Sequence, residues 1–210
     1  MLKPTTIFSL INYAFQYVVN TSLQYNIDES HALKHSMEVF GYAKKNYDLE
    51  ITNYPFLANH KEIIYMAAIG HDMCDKKYMN EQEGIARYQQ YLSDYMTPHN
   101  LDIMGQIIGT MSYSKTKKVG FPELGEYQLA YNIVREADLL SAYDIDRCII
   151  YNMYCENADY HTSLETAFQL FNNRVFKMRD DNLFFTQFGK SESLKLHKMA
   201  KIQVENLKTL

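Results

Sequence analysis

Apolar positions along this chain recur mostly at three- and four-residue intervals, the spacing of a helix with one buried face. Ile7, Leu10, Ile11, Ala14 and Val18 set the pattern near the N-terminus. Carried along the chain, the periodicity predicts helices over roughly 5–20, 30–47, 58–72, 81–95, 99–112, 126–156, 162–178 and 191–208. No stretch alternates with the period of two that a half-buried strand requires. Capping residues precede several segments: Asp28 or Ser30, Asn59, Asn80 and Ser191. All four prolines fall between periodic segments, which suits helices joined by short connections. The expected architecture is an all-α helical bundle forming a single domain over residues 1–210. One longer break, SKTKKVGFPELG at 114–125, is the most basic stretch. It reads as an extended loop, either solvated or facing phosphate.

Composition narrows the class. At 47% hydrophobic residues the chain is globular, and 210 residues can bury a substantial core. A formal net charge of −4 argues against a nucleic-acid surface, although a small anion could still find a locally positive site. The apolar stretch IFSLINYAFQYVVN carries Asn12, Gln16 and Asn20, is too short and polar for a membrane span, and is followed by no cleavage site. Three cysteines without a CxxC spacing fit a reduced, cytoplasmic setting. Cys148 and Cys155, seven apart in an apolar pattern, read as core packing. His60, His161 and His197 read as surface residues.

Four polar residues stand on faces that should be buried. His35 follows Ala32 by three and precedes Val39 by four. His71 and Asp72 end the apolar run Ile63–Gly70, where Gly70 leaves room for another backbone or helix to come close. Asp138 shares a face with Tyr131, Val134, Ala142 and Ile145. Each has an ordinary explanation: a hydrogen-bonded core histidine, a histidine on a helix C-terminal dipole, a salt bridge from Asp138 to Arg147. The Asp72 charge, however, opposes the dipole and asks for a nearby cation. Together, two imidazoles and two carboxylates make a four-ligand set for one divalent ion. Mixed nitrogen and oxygen donors suit Mn²⁺, Fe²⁺, Co²⁺, Ni²⁺ or Zn²⁺ better than Ca²⁺.

The order H…HD…D, realised as His35, His71-Asp72 and Asp138, resembles the HD-domain superfamily of metal-dependent phosphohydrolases, small single-domain type. SHALKHSMEV is similar to the opening S-H-x-x-x-H-x-x-R-V, IYMAAIGHDMCDKK to an apolar run followed by HDxxDxK, and READLLSAYDIDR to D-A-D-x-L-D-A…R. The resemblance covers about residues 25–155 and leaves 156–210 as a helical extension without a counterpart. Two positions depart from the pattern: Glu38 stands where arginine is usual, and Glu136 replaces the first aspartate of D-A-D.

The resemblance implies one divalent metal ion (Mn, Co, Ni, Fe, Zn or Mg) on His35, His71, Asp72 and Asp138, and a metal-activated water attacking a small phosphorylated substrate, a nucleotide or similar molecule. Asp75 then joins Asp72 as a catalytic candidate, for general acid/base work, with helix capping or pairing to a lysine as the plainer alternatives. Lys77 is the phosphate-binding candidate, and His31, Ser112 and Lys115 are candidates to line the substrate site. A regulatory module that binds a nucleotide or metal without turnover is the competing reading. A di-iron oxygenase fits less well, because the interval from Asp72 to Asp138 holds only His99, placed after Pro98 in an expected loop. The Phe- and Met-rich helix at 162–178 is a candidate homodimer surface.

Overall fold

Residues 6–209 are described in a computed structural model, and among them no strand forms; the fold is all-α. Ten helices follow in order: α1 (Ile7–Tyr25), α2 (Leu33–Glu50), α3 (Lys61–Gly70), α4 (Glu81–Leu92), α5 (Pro98–Thr110), α6 (Tyr113–Val119), α7 (Gln128–Ser141), α8 (Ile145–Cys155), α9 (Tyr160–Asn173) and α10 (Gln187–Leu207). Side-chain caps fix most starts. Asn80 accepts from Glu83 N at 3.1 Å, Thr97 from Asn100 N at 3.2 Å and Asp159 from Thr162 N at 2.9 Å. Three expected caps fall elsewhere: α2 begins at Ala32 without a side-chain cap, α3 follows a 3₁₀ turn at Pro55–His60, and Thr186 rather than Ser191 caps α10.

α3 is the axis of the fold. Every residue from Ile63 to Gly70 is buried, with α1, α2, α5 and α7 packed around it. An element apolar all round is stable only when enclosed in this way. A second apolar cluster joins α8, α9 and α10 to the far end of α7, through Leu139, Leu140, Leu164, Phe168 and Phe171. The two clusters adjoin within α7, one ending at Ala137 and the other starting at Leu139, so Asp138 stands at their seam.

Two buried carboxylates tie the C-terminal segment to this body. Glu136 accepts from Phe185 N at 2.6 Å and from the Thr186 hydroxyl at 2.6 Å, and Glu50 accepts from Gln187 N at 2.9 Å. Negative charge on the unpaired amides of a helix start is favourable, and here it anchors α10. Residues 156–209 are thus packed onto the fold, and Phe168 and Phe171, within the helix considered above for a dimer surface, fill this chain's own core.

Other expectations are corrected. The expected helix over 126–156 breaks between Ser141 and Ile145, where Asp144 caps α8 by accepting from Asp146 N at 3.1 Å. The expected loop at 114–125 begins with α6, capped by Ser112. His99 lies in the first turn of α5. His60 is buried, its ring 4.5 Å from that of Tyr127. Cys155 is exposed rather than packed in a core, and Cys148 is half-buried. No helix among the described residues is long and apolar enough to cross a membrane.

Candidate metal centre

Three elements converge on one point. α2 brings His35, α7 brings Asp138, and α3 tightens at its end into a 3₁₀ turn, His71–Cys74, that brings His71 and Asp72. One ligand atom each from His35, His71 and Asp138 lies within 4.8 Å of the others. The two Nε2 atoms are 3.1 Å apart. Asp138 Oδ1 is 3.7 Å from His35 Nε2 and 3.6 Å from His71 Nε2. Asp72 spans both imidazoles, 2.9 Å from His35 Nε2 and 3.4 Å from His71 Nε2.

These groups shift one another's protons. Burial opposes charge on His71, yet Asp72 and Asp138 outweigh it and raise its pKa to about 9. Burial, reinforced by Arg147, lowers that of His35 to about 4 against the pull of Asp72. Burial also works against ionising Asp72 and Asp138, but the imidazoles hold both well below the usual carboxylate range. The nearest basic side chain is that of Arg147, 4.0 Å from Asp72, so it faces Asp72 and not the Asp138 partner expected from spacing. Arg147 is itself spent on structure, donating to Ser30 O at 2.8 Å and to Ser141 Oγ at 2.9 Å.

The donor set fits a divalent ion. Nδ1 of His71 donates to Ala68 O at 3.0 Å, which leaves Nε2 as the ligand atom facing the cluster. His35 Nδ1 is buried without a hydrogen-bond partner, so its Nε2 is likewise committed to the cluster. The group His35, His71 and Asp138 could therefore hold a metal ion, and among the described residues that group contains no third histidine. His99 instead bonds the Tyr127 hydroxyl at 2.8 Å.

A cavity of about 340 Å³ opens onto His71, Asp72 and Asp138. It also brings His31, Asp75 and Lys77 to the same space, and Ser112 and Lys115 line it as well. His35 lies behind this surface, fully buried. Asp75 accepts from Lys77 N at 2.8 Å, and burial together with the charge of Asp72 raises its pKa. Ser112 caps α6, while the Lys115 ammonium is taken by Glu81 and by Gly109 O.

Lys77 is held by a relay that begins at Asp28. Asp28 accepts from Tyr78 Oη at 2.7 Å, from Ser30 N at 2.9 Å and from Cys155 Sγ at 3.1 Å. Tyr78 Oη lies 3.2 Å from His31 Nδ1, and His31 Nε2 accepts from Lys77 Nζ at 2.7 Å. Burial keeps His31 neutral, with its pKa lowered to about 4, which suits an acceptor for an ammonium. For Asp28, burial is outweighed by these donors, and its pKa falls from 3.8 to about 2. The stabilisation is therefore complete above pH 3.8 and is lost as pH falls toward 2. Asp28→Asn is expected to cost about 1 kcal/mol at neutral pH, discounted for solvent, with the gap from wild type closing in acid. Urea melts at pH 7, 4 and 2.5 check this; a pH-independent gap would contradict it.

Tyr113, Tyr151 and Arg174 also face the cavity and were not expected from the sequence. Tyr113 falls between the expected helix at 99–112 and the expected loop at 114–125, and Arg174 lies beyond the stretch that carries the family resemblance. Compared with protein-family models, curated proteins and solved structures, the chain matches none.

Proposed function

We propose that this chain is a metal-dependent hydrolase of a phosphate ester or phosphoanhydride, acting on a nucleotide or a molecule of similar size. The observation that carries the reading is the His35–His71–Asp138 group opening directly into a cavity whose wall presents Lys77 and Arg147. A divalent ion held by these residues, with Asp72 as a fourth donor, supplies a Lewis acid for a phosphoryl oxygen and lowers the pKa of water.

The remaining roles belong to the protein. Lys77 binds phosphate: its ammonium rests on neutral His31, 4.9 Å over the Tyr151 ring, and forms no ion pair with a carboxylate among the described residues. Arg147 adds fixed positive charge beside Asp72. Asp75, with its raised pKa, holds a proton nearer neutrality and can pass it to the leaving oxygen.

The test is phosphate or pyrophosphate release from a panel of esters, with the protein reconstituted in turn with Mn²⁺, Co²⁺, Ni²⁺, Mg²⁺ and Zn²⁺. Release from at least one ester is expected. Metal and nucleotide binding by calorimetry without any release would favour a non-catalytic module. Lys77→Met is expected to lower kcat/KM about 10- to 100-fold, the loss of one charge-assisted contact, with metal content unchanged. An unaltered kcat/KM would remove Lys77 from the substrate.

A further inference from the structure

The cationic groups of this cavity are not equivalent. The Lys115 ammonium is taken by Glu81, Arg147 is braced by Ser30 and Ser141, and Lys77 rests on His31. Arg174, at the end of α9, is different. Its guanidinium carbon lies 4.2 Å from the centroid of the Tyr113 ring. Its Nε is fully buried and meets no acceptor, and no carboxylate, carbonyl or hydroxyl among the described residues bonds its side chain. Arg174 is half-buried, and an Nε sealed from solvent without an acceptor is costly, while stacking on a ring leaves the guanidinium N–H groups free to donate. Arg174 lines the same cavity as Asp138 and His71.

We propose that Arg174, seated on Tyr113, is a second anion subsite of this cavity, and that the molecule bound there carries a second phosphate besides the one placed at His35, His71 and Asp138. This rests on the phosphohydrolase reading for the first phosphate, while the subsite itself is a matter of Arg174 alone. A planar, forked guanidinium recognises phosphate through two parallel N–H donations, which a lysine cannot reproduce. Stacking fixes the plane of the fork before a ligand arrives, so less freedom is lost on binding. The position also explains why the C-terminal segment is anchored so firmly: the 3₁₀ turn Val175–Lys177 and the buried side chain of Val175 hold the end of α9 against the cavity. Among the charges acting on Arg174, that of Asp138 is the strongest, which places the two in one field.

The experiment is calorimetry on metal-loaded protein in the cold, each probe being recovered intact by chromatography after the titration, with three probes: AMP, ADP and adenosine 3′,5′-bisphosphate. Wild type is expected to bind one of the two double phosphates about tenfold tighter than AMP, and Arg174→Gln to abolish that preference while leaving AMP affinity unchanged. Which double phosphate is preferred reports the spacing of the subsites. No preference in wild type, an unchanged preference in the variant, or an equal loss for all three probes overturns the subsite. If Arg174→Gln fails to fold by its thermal melt, Arg174→Lys is read instead: a drop in preference of about threefold or more supports the forked contact, and an unchanged ratio overturns it. Phosphate release by metal-loaded protein is scored separately. Preference without release removes the hydrolase reading and keeps the subsite; release without preference does the reverse.

Discussion

Asp72→Ala should strip the protein of its metal and lower phosphate release by about three orders of magnitude, the worth of several kcal/mol of Lewis-acid assistance. Asp72 approaches both imidazoles more closely than Asp138 does, at 2.9 Å from His35 and 3.4 Å from His71. Its loss removes one donor and leaves the remaining set with a single carboxylate, Asp138. The fold should survive. Burial disfavours charge on His71, and Asp72 is the largest influence raising its pKa, so its loss lowers that pKa, while Asp138 still faces the ring at 3.6 Å. The decisive measurements are elemental analysis, thermal melting of the metal-free protein and phosphate release, made on the same preparations. Full release from the alanine variant would sink the hydrolase reading. Lost release with retained metal would move Asp72 from ligand to a purely catalytic part.

What the sequence disclosed of this site was local, and what it concealed was long-range. His35, His71 and Asp138 each betrayed themselves as polar residues on apolar helix faces, a signal that needs only neighbours three or four positions away. The same logic misjudged His60, because its burial depends on the ring of Tyr127 in a distant turn. It could not interpret Glu136 either, whose partners at Phe185 and Thr186 arrive some fifty positions later. The break between α7 and α8 was invisible for another reason. Both helices are buried at their junction, through Leu139, Leu140 and Ile145, so the apolar period continues through the turn and only the Asp144 cap marks it. α6 was missed because seven residues with three lysines show too little apolar period to compete with a loop reading. Arg174 lacks any local mark: its meaning lies in Tyr113, 61 positions earlier, and in the cavity they share.

Gly70→Ala should be among the most damaging single-methyl changes in the chain. The position is fully enclosed, and a Cβ built there would overlap Cε1 and Cζ of the Tyr88 ring. That ring cannot easily yield. It is completely buried, its hydroxyl donates to Met66 O at 3.0 Å, and it packs against Tyr17 at 4.7 Å between centroids. Either Tyr88 swings away and leaves its bond and packing, or the end of α3 moves. Overpacking of this kind costs about 3 kcal/mol, a fall of roughly 6–12 °C in the thermal midpoint at this chain length. The second escape also carries His71 and Asp72 off the cluster, since both follow Gly70 directly in the 3₁₀ turn. Metal affinity should therefore fall in the same variant although no ligand has been changed. Tyr88→Leu provides the cross-check: combined with Gly70→Ala it removes the obstructing ring, so the double variant should be more stable than the sum of the single losses allows. Additive losses, or an alanine variant with an unshifted midpoint and normal metal content, would show that the close approach is not required. If the coupling is found, the glycine before His71-Asp72 is what lets α3 run flush against Tyr88 and end where the two ligand candidates must begin.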